Sequence, residues 1–385
     1  MTGSQEAFIV GAVRSAVGKR NGSFAAVHPA DLGAAVLRAL VDRSGVPPEF
    51  VDDVLWGCVG QVGPQASNIG RITVLSAGLP ESVPGTTIDR QCGSSQQAVH
   101  FAAQAVLSGA QDLVVAGGVE VMSQVPIASP TLIGLEKGMA HPRGGQGWAQ
   151  RYGDQEISQF RGAELIAERW GLSRAAMEEF ALESHARAIA SADAGEFDEE
   201  IVPVEGLTRD EGPRPGTTAE KLASLQPLRE GGRLTAALAS QVSDGAAALL
   251  IASPGAVARH GLTPLARVHT MAVVGSDPVL MLTGPIPATE ALVKRSGVAL
   301  DEIGSFEVNE AFASIPMAWL AETGVERSRT NPQGGAIALG HPLGGTGARL
   351  MTTLLHRMRR EGQRYGLQTM CEGGGMANAT LVELV

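Results

Sequence analysis

Thr87-Ile88-Asp89-Arg90-Gln91-Cys92-Gly93-Ser94-Ser95-Gln96-Gln97-Ala98 carries a short strand into a tight turn, and the turn into a helix. From Ser94 to Ser108 the pattern is helical and rich in alanine and glutamine. Asp112-Leu113-Val114-Val115-Ala116-Gly117-Gly118 then runs as a continuous apolar strand. Alternating strands and helices of this kind imply an α/β protein, its mainly parallel sheet covered on both faces.

The pattern extends outward from that stretch. Ala7 to Val13 reads as a buried opening strand. Asp31 to Ser44 has helical spacing, with Leu32, Ala35, Val36, Ala39 and Leu40 on one face. Val51 to Val59 and Ala246 to Ile251 are strand-like. The last third repeats the first: Ser305-Phe306-Glu307-Val308 leads to Asn309, and Gly340-His341 precedes a helix over 347–358. Strands at 365–370 and 380–384 flank Cys371. This suggests an internal duplication. Between 122 and 233 the chain is richer in polar residues, proline and glycine, and reads as a large insertion. One clear helix, Ser173 to Ala190 with Ser173 as cap, interrupts it.

A length of 385 residues is too great for one ordinary domain. Hydrophobic residues at 44% and charged residues at 18% allow a large core and exclude disorder. Aromatics at 4% and a net charge of −10 argue against nucleic acid or an anionic membrane as partner. An anionic small molecule needs a local basic patch, and 207–233 offers Arg209, Arg214, Lys221, Arg229 and Arg233. Three cysteines without framework spacing speak for a reducing, cytoplasmic compartment. The N-terminus lacks the pattern of a signal peptide, and no 18 apolar residues run together.

Two thiols and one histidine stand on glycine-rich turns. Cys92, at a helix start, meets unpaired N–H groups and the positive end of the helix dipole, which lower a thiol pKa. A buried structural cysteine is the competing reading. Cys58, inside an apolar strand pattern, is read as structural. His341 is fixed between Gly340 and Pro342, and a histidine that activates a thiol must be held still. A surface loop histidine is the alternative. Cys371 enters Gly373-Gly374-Gly375, where N–H groups can converge on one atom, as in an oxyanion hole. A tight structural turn would look the same. Asn309 can hold a water or a carbonyl, or cap a helix. No cluster has metal-ligand spacing, so no metal is expected.

Four motifs in this order resemble the thiolase (acetyl-CoA acyltransferase) family over essentially the whole length: Gln91-Cys92-Gly93-Ser94, Asn309-Glu310-Ala311-Phe312, Gly340-His341-Pro342 and Cys371-Glu372-Gly373. The wording around Cys92 and Cys371 is closest to degradative thiolases of actinobacteria, including those of steroid catabolism. The resemblance implies two duplicated α/β halves with five-stranded mixed sheets, layered αβαβα, plus a loop domain. The halves are then 1–120 (completed by 243–261) and 262–385, with 121–242 as the loop domain that binds CoA. It also implies ping-pong cleavage of a 3-oxoacyl-CoA by free CoA, which acts as co-substrate with no bound cofactor. Cys92 is then the nucleophile, His341 its activator, and Cys371 the acid/base at the α-carbon. Asn309 and Gly373 contribute to oxyanion holes. Ser240, Leu228, Met281, Ala311 and Phe312 match residues that line the pantetheine tunnel. Family members are homodimers or homotetramers.

One departure concerns the acyl group. Short-chain members carry a His-Met-Gly pattern where this chain has Ser158-Gln159-Phe160-Arg161-Gly162 before Ala163-Glu164. The acyl end is therefore expected to be remodelled, with Gln159 or Arg161 meeting a polar or carboxylate group; an acidic neighbour of Arg161 is the plainer account. Rival readings are an acetoacetyl-CoA thiolase working in condensation, a ketoacyl synthase, a cysteine hydrolase and a non-catalytic CoA-binding subunit. Cys371 on its glycine turn argues against a synthase.

Overall fold

The computed structural model describes residues 6–385. The reading of the first five residues as free of a leader lies outside the described residues. Eleven strands form one hydrogen-bonded sheet. They are β1 (Phe8–Ser15), β2 (Gly18–Lys19), β3 (Asp53–Gly57), β4 (Thr86–Ile88), β5 (Leu113–Val121), β6 (Ile201–Val202), β7 (Ser243–Ala252), β8 (Ala266–Gly275), β9 (Ile303–Val308), β10 (Tyr365–Glu372) and β11 (Met376–Leu384). The order across the sheet is β4-β3-β5-β7-β1-β8-β11-β10-β9, with β2 on β7 and β6 on β1.

The duplication is visible in this order. In the first half β3 pairs in parallel with β4 and β5, and β7 lies antiparallel between β5 and β1. In the second half β9 pairs in parallel with β10, and β11 lies antiparallel between β10 and β8. A single parallel bridge, Phe306 to Thr330, stands where β4 stands in the first half. The second half thus has four strands and a bridge rather than the five implied by the resemblance. Asn331, at φ 46°, turns the backbone into the left-handed region, and Pro332 has no N–H to donate, so the ladder stops at Thr330. Among the described residues the halves join edge to edge over a short stretch, with Phe8 opposite Arg267 and Ile9 opposite Ala266.

Five layers result. Helices Pro29–Ser44 and Ile69–Ser76 cover the outer face of the first half. Helices Pro285–Ser296 and Ser314–Thr323 cover that of the second. Helices Ser94–Leu107 and Thr346–Glu361 lie between the halves. Ala98, Ala102 and Val106 there meet Met351, Leu354 and Met358, all buried. Each large apolar side chain removed from water in this layer contributes roughly 1.5–3 kcal/mol.

The two central helices begin against each other. A Cβ on Gly347 would stand 2.3 Å from the backbone N of Gln96, and one on Gly57 would stand 2.5 Å from that of Ser95. Only glycine permits that approach. The N–H of Ala348 donates to Ser95 Oγ at 2.9 Å. This convergence brings the Cys92 and His341 turns to one place.

Between β5 and β7 the chain leaves the sheet and touches it again only at β6, on β1. Its helices Gln159–Arg169 and Arg174–Asp193 pack Ile166, Met177 and Phe180 against Leu222, Leu234 and Phe312. Ser173 caps the second helix, as its sequence predicts. The segment is tied to β1 by a buried charge cluster: Arg14 donates to Glu200 at 2.6 Å and to both oxygens of Asp210 at 2.7 and 2.9 Å. No helix of the described residues is long and apolar enough to cross a membrane.

Candidate active site

Cys92 lies on the turn between β4 and the first central helix, part-exposed, and lines a cavity of about 390 Å³. The backbone N–H groups of Cys92 and Gly373 point at its sulfur and favour thiolate. Burial nevertheless outweighs them, aided by the carboxylates of Glu372 and Glu120, and pushes the thiol up to about 12. The sequence expectation of a lowered pKa therefore fails for the resting site. Two buried acids, not visible from the Cys92 turn itself, oppose the helix start. The proton must go to a base.

His341 is built to be one. It is buried, and its N–H is held by the Gln241 carbonyl at 3.2 Å and Ser243 Oγ at 3.1 Å. Its Nδ1 lies 2.6 Å from Thr346 Oγ1, whose own hydroxyl donates to the Pro342 carbonyl at 2.8 Å. That hydroxyl has one proton and has spent it, so Nδ1 carries the imidazole proton and donates. Nε2 is left with a free lone pair and no partner among the described residues. Burial and Arg349 push the imidazole down to about 3, which keeps it neutral.

Cys371 stands near the end of β10, fully buried, close enough to Cys92 for the Cys92 sulfur to help raise its pKa. Burial comes first among the causes, and Glu372 adds to it. Gly374 and Gly375, at φ 90° and 79°, turn the chain back and leave Gly373 on the cavity wall. Asn309 follows β9, buried, with both amide atoms unpartnered. An orphaned buried amide of this kind awaits a water or a ligand oxygen.

A second cavity, of about 650 Å³, adjoins the first and includes His341. Gln159, Ile127, Ala311 and Leu343 line both. Ser240, Leu228 and Phe312 line the second. Met281 instead lines the first, held at φ 55° on a turn packed against Gly162. Arg161 lines neither. It donates to Gln155 Oε1 at 3.3 Å and to the Glu156 carbonyl, because Ser158 caps the helix and turns it back along the chain.

The basic stretch 207–233 is mostly spent internally. Arg209 pairs with Asp193, Arg229 with Glu156 and Arg233 with Glu164. Of the five basic side chains only Arg214 lines the second cavity, where Lys19 at the end of β2 and Arg20 just after it join it. Those two are far away in sequence, and nothing local marks them.

Glu120 is the other residue that sequence reading passed over. It is buried at the end of β5 and accepts from the N–H groups of Val59, Gly60 and Gly344, each at 2.9 Å, and from Gln65 Nε2 at 2.8 Å. It thereby ties the loop after β3 to the turn that follows His341. The signal was a lone acid inside an apolar strand. Cys58 lies beneath it, buried, 3.9 Å from Oε1, with a thiol raised by burial and Glu120. Among the described residues no group of three or more His, Cys, Asp or Glu side chains is placed to hold a metal ion.

The chain resembles known proteins over nearly its whole length. The family model for the thiolase N-terminal domain matches residues 7–255, and that for the C-terminal domain matches 262–384. The steroid 3-ketoacyl-CoA thiolase FadA6 of Mycobacterium tuberculosis is 57% identical over 98% of this chain and 94% of its own. A beta-ketoadipyl-CoA thiolase of Pseudomonas aeruginosa is 44% identical over 99% of this chain and all of its own length, 100%. Among solved structures, the Bacillus anthracis acetyl-CoA acetyltransferase superposes with a TM-score of 0.90 at 35% identity, covering 100% of both chains. Human mitochondrial 3-ketoacyl-CoA thiolase gives 0.88 at 33%, covering 99% of both.

Proposed function

The chain belongs to the thiolase family and is a 3-ketoacyl-CoA thiolase, an acyltransferase; on that premise we propose the roles of its residues and the class of its acyl group. His341 Nε2 takes the proton of Cys92, and the thiolate attacks the 3-keto carbon. The N–H groups of Cys92 and Gly373 hold the alkoxide that forms. The bond between C2 and C3 breaks, and the acyl group stays on Cys92 as a thioester. The electron pair passes to the departing acetyl-CoA as an enolate, held by protonated His341 and by Asn309 through water. Cys371 protonates its α-carbon. Free CoA then enters and gives its thiol proton to Cys371. Its sulfur attacks the acyl-enzyme, releasing a shortened acyl-CoA and restoring Cys92.

The observation that carries this reading is the pair of buried groups without a hydrogen-bond partner among the described residues, Nε2 of His341 and the side-chain amide of Asn309. Differential stabilisation of developing oxyanions is worth several kcal/mol in such dry sites. Coenzyme A occupies the larger cavity, with Ser240, Leu228, Ala311 and Phe312 along its pantetheine arm and Lys19, Arg20 and Arg214 near its phosphates. Residues 121–242 form the loop domain that binds it.

The direction is degradative. The acyl group is bulkier than acetyl, which the 390 Å³ cavity beside Cys92 favours. The steroid-acting relative at 57% identity supports a ring-derived acyl chain. The reading includes a cytoplasmic homodimer or homotetramer, which sedimentation measures. Thiolysis with a panel of short, long, branched and ring-derived 3-oxoacyl-CoAs tests it. Mass spectrometry is expected to find acetyl-CoA, or propionyl-CoA from an α-methylated substrate, plus the shortened acyl-CoA. Cys92→Ser abolishes both products. Release of free acid in place of acyl-CoA sinks the mechanism.

A further inference from the structure

We infer that Arg143 is a specificity determinant of the acyl cavity and that it receives a carboxylate at the far end of the acyl group. The inference rests on the thiolase reading above and names its substrate class.

Arg143 lines the same cavity as Cys92 and is half-buried. One guanidinium nitrogen donates to the Ile157 carbonyl at 2.6 Å, and Cζ lies 5.4 Å from the centre of the Trp148 ring. These two contacts fix the group and leave other N–H donors unused. Among the described residues no carboxylate lies within 4.0 Å of it, whereas Arg209, Arg229, Arg233 and Arg267 each have an acidic partner. Asp89 and Glu120 line the same cavity, but neither is within ion-pair distance of Arg143, and they accept instead from Gln91 and from Val59, Gly60 and Gly344. The fixed cation is thus left a place for an anion from outside.

The rest of the wall agrees. Val125, Pro126, Ile127, Met281, Leu282 and Leu343 form an apolar lining. Gln159 and Thr131 add side chains that have no hydrogen-bond partner among the described residues. A long apolar wall with a cation and two free polar groups suits an acyl chain that is apolar along its body and anionic at its end. Arg161, the arginine first suggested by the sequence, is spent on its own chain.

The test uses the full-length enzyme and two 3-oxoacyl-CoAs of equal length, one ending in a carboxylate and one in a methyl group. Wild type is expected to favour the carboxylate in kcat/KM. Arg143→Gln is expected to lower that value roughly tenfold to a hundredfold for the carboxylate substrate. For the methyl substrate it should stay within about twofold, since no charged bond is lost there. Arg143→Lys should recover part of the loss. Equal losses on both substrates make Arg143 a scaffold of its loop and overturn the inference, as does parity of the two substrates in wild type. If wild type cleaves neither substrate nor any other 3-oxoacyl-CoA, the thiolase reading itself has failed, a result distinct from either.

Discussion

Thr346 Oγ1 stands 2.6 Å from His341 Nδ1, and its proton is committed to the Pro342 carbonyl. One hydroxyl therefore decides which imidazole nitrogen is bare. Thr346→Val removes the acceptor while keeping the shape, and frees the ring to adopt the other tautomer. Thiolysis kcat is expected to fall at least about tenfold, within the range that positioned acid–base catalysis supplies. Thr346→Ser keeps the oxygen and should stay near wild type. A Val variant with unchanged kcat removes the tautomer argument.

Glu120 holds two loops by four bonds. Glu120→Ala leaves the N–H groups of Val59, Gly60 and Gly344 without partners in a dry site, at about 1–3 kcal/mol for each buried orphan. The variant should melt several degrees lower and lose most activity through the loosened His341 turn. Glu120→Gln keeps one acceptor oxygen and should fall between the two. Thermal unfolding with a parallel kcat measurement separates lost stability from lost positioning.

The approach of the two central helices makes Gly347 irreplaceable. Alanine there gains up to about 1 kcal/mol of helix propensity. It also drives a methyl to 2.3 Å from the Gln96 backbone, an overpacking of about 1–3 kcal/mol or more, so the variant should be less stable. Gly255, whose Cβ would meet nothing nearer than 3.5 Å, is the control: Gly255→Ala should be neutral or stabilising. Equal melting temperatures for the two variants contradict the helix contact.

Stability should fall on both sides of neutrality for different reasons. Burial holds His100 and His341 down to about 3, below the ordinary 6.5. The unfolded chain then binds protons that the fold refuses, so stability is full above pH 6.5 and declines as pH falls toward 3. Glu307 is the reverse case. Burial raises it to about 8 from 4.5, against the pull of Arg349, so its contribution is full below pH 4.5 and is lost as pH rises through 8. Glu307→Gln should therefore gain on wild type in melting temperature between pH 5 and pH 9. A constant difference across that range rules out the linkage.

Most of the fold was legible because its strands are buried on both faces. Leu113 to Gly118 and Ala246 to Ile251 read as unbroken apolar runs and became β5 and β7. The strand β8 was passed over. Arg267 and His269 alternate with Val268 and Thr270, a half-buried period-two pattern that a search for continuous runs does not see. Within the site, Cys92, His341 and Cys371 announce themselves by their glycines. Arg143, Glu120, Lys19 and Arg20 do not, since what matters in each is a partner, or the lack of one, supplied by distant chain. The electrostatics were legible least. The dipole at Cys92 is local in sequence, but Glu120 is brought beside it only by folding.

The sheet order has a consequence for biosynthesis. β5 emerges from the ribosome with every residue destined for the interior, yet its antiparallel neighbour β7 begins only at Ser243. At ordinary elongation rates that gap lasts on the order of ten seconds. Throughout it, the nascent chain presents a nine-residue edge, apolar but for Glu120, with unpaired backbone groups. The first half cannot close until the whole excursion has been translated, so a holding chaperone, or early docking of the excursion through Arg14, has its place in that interval.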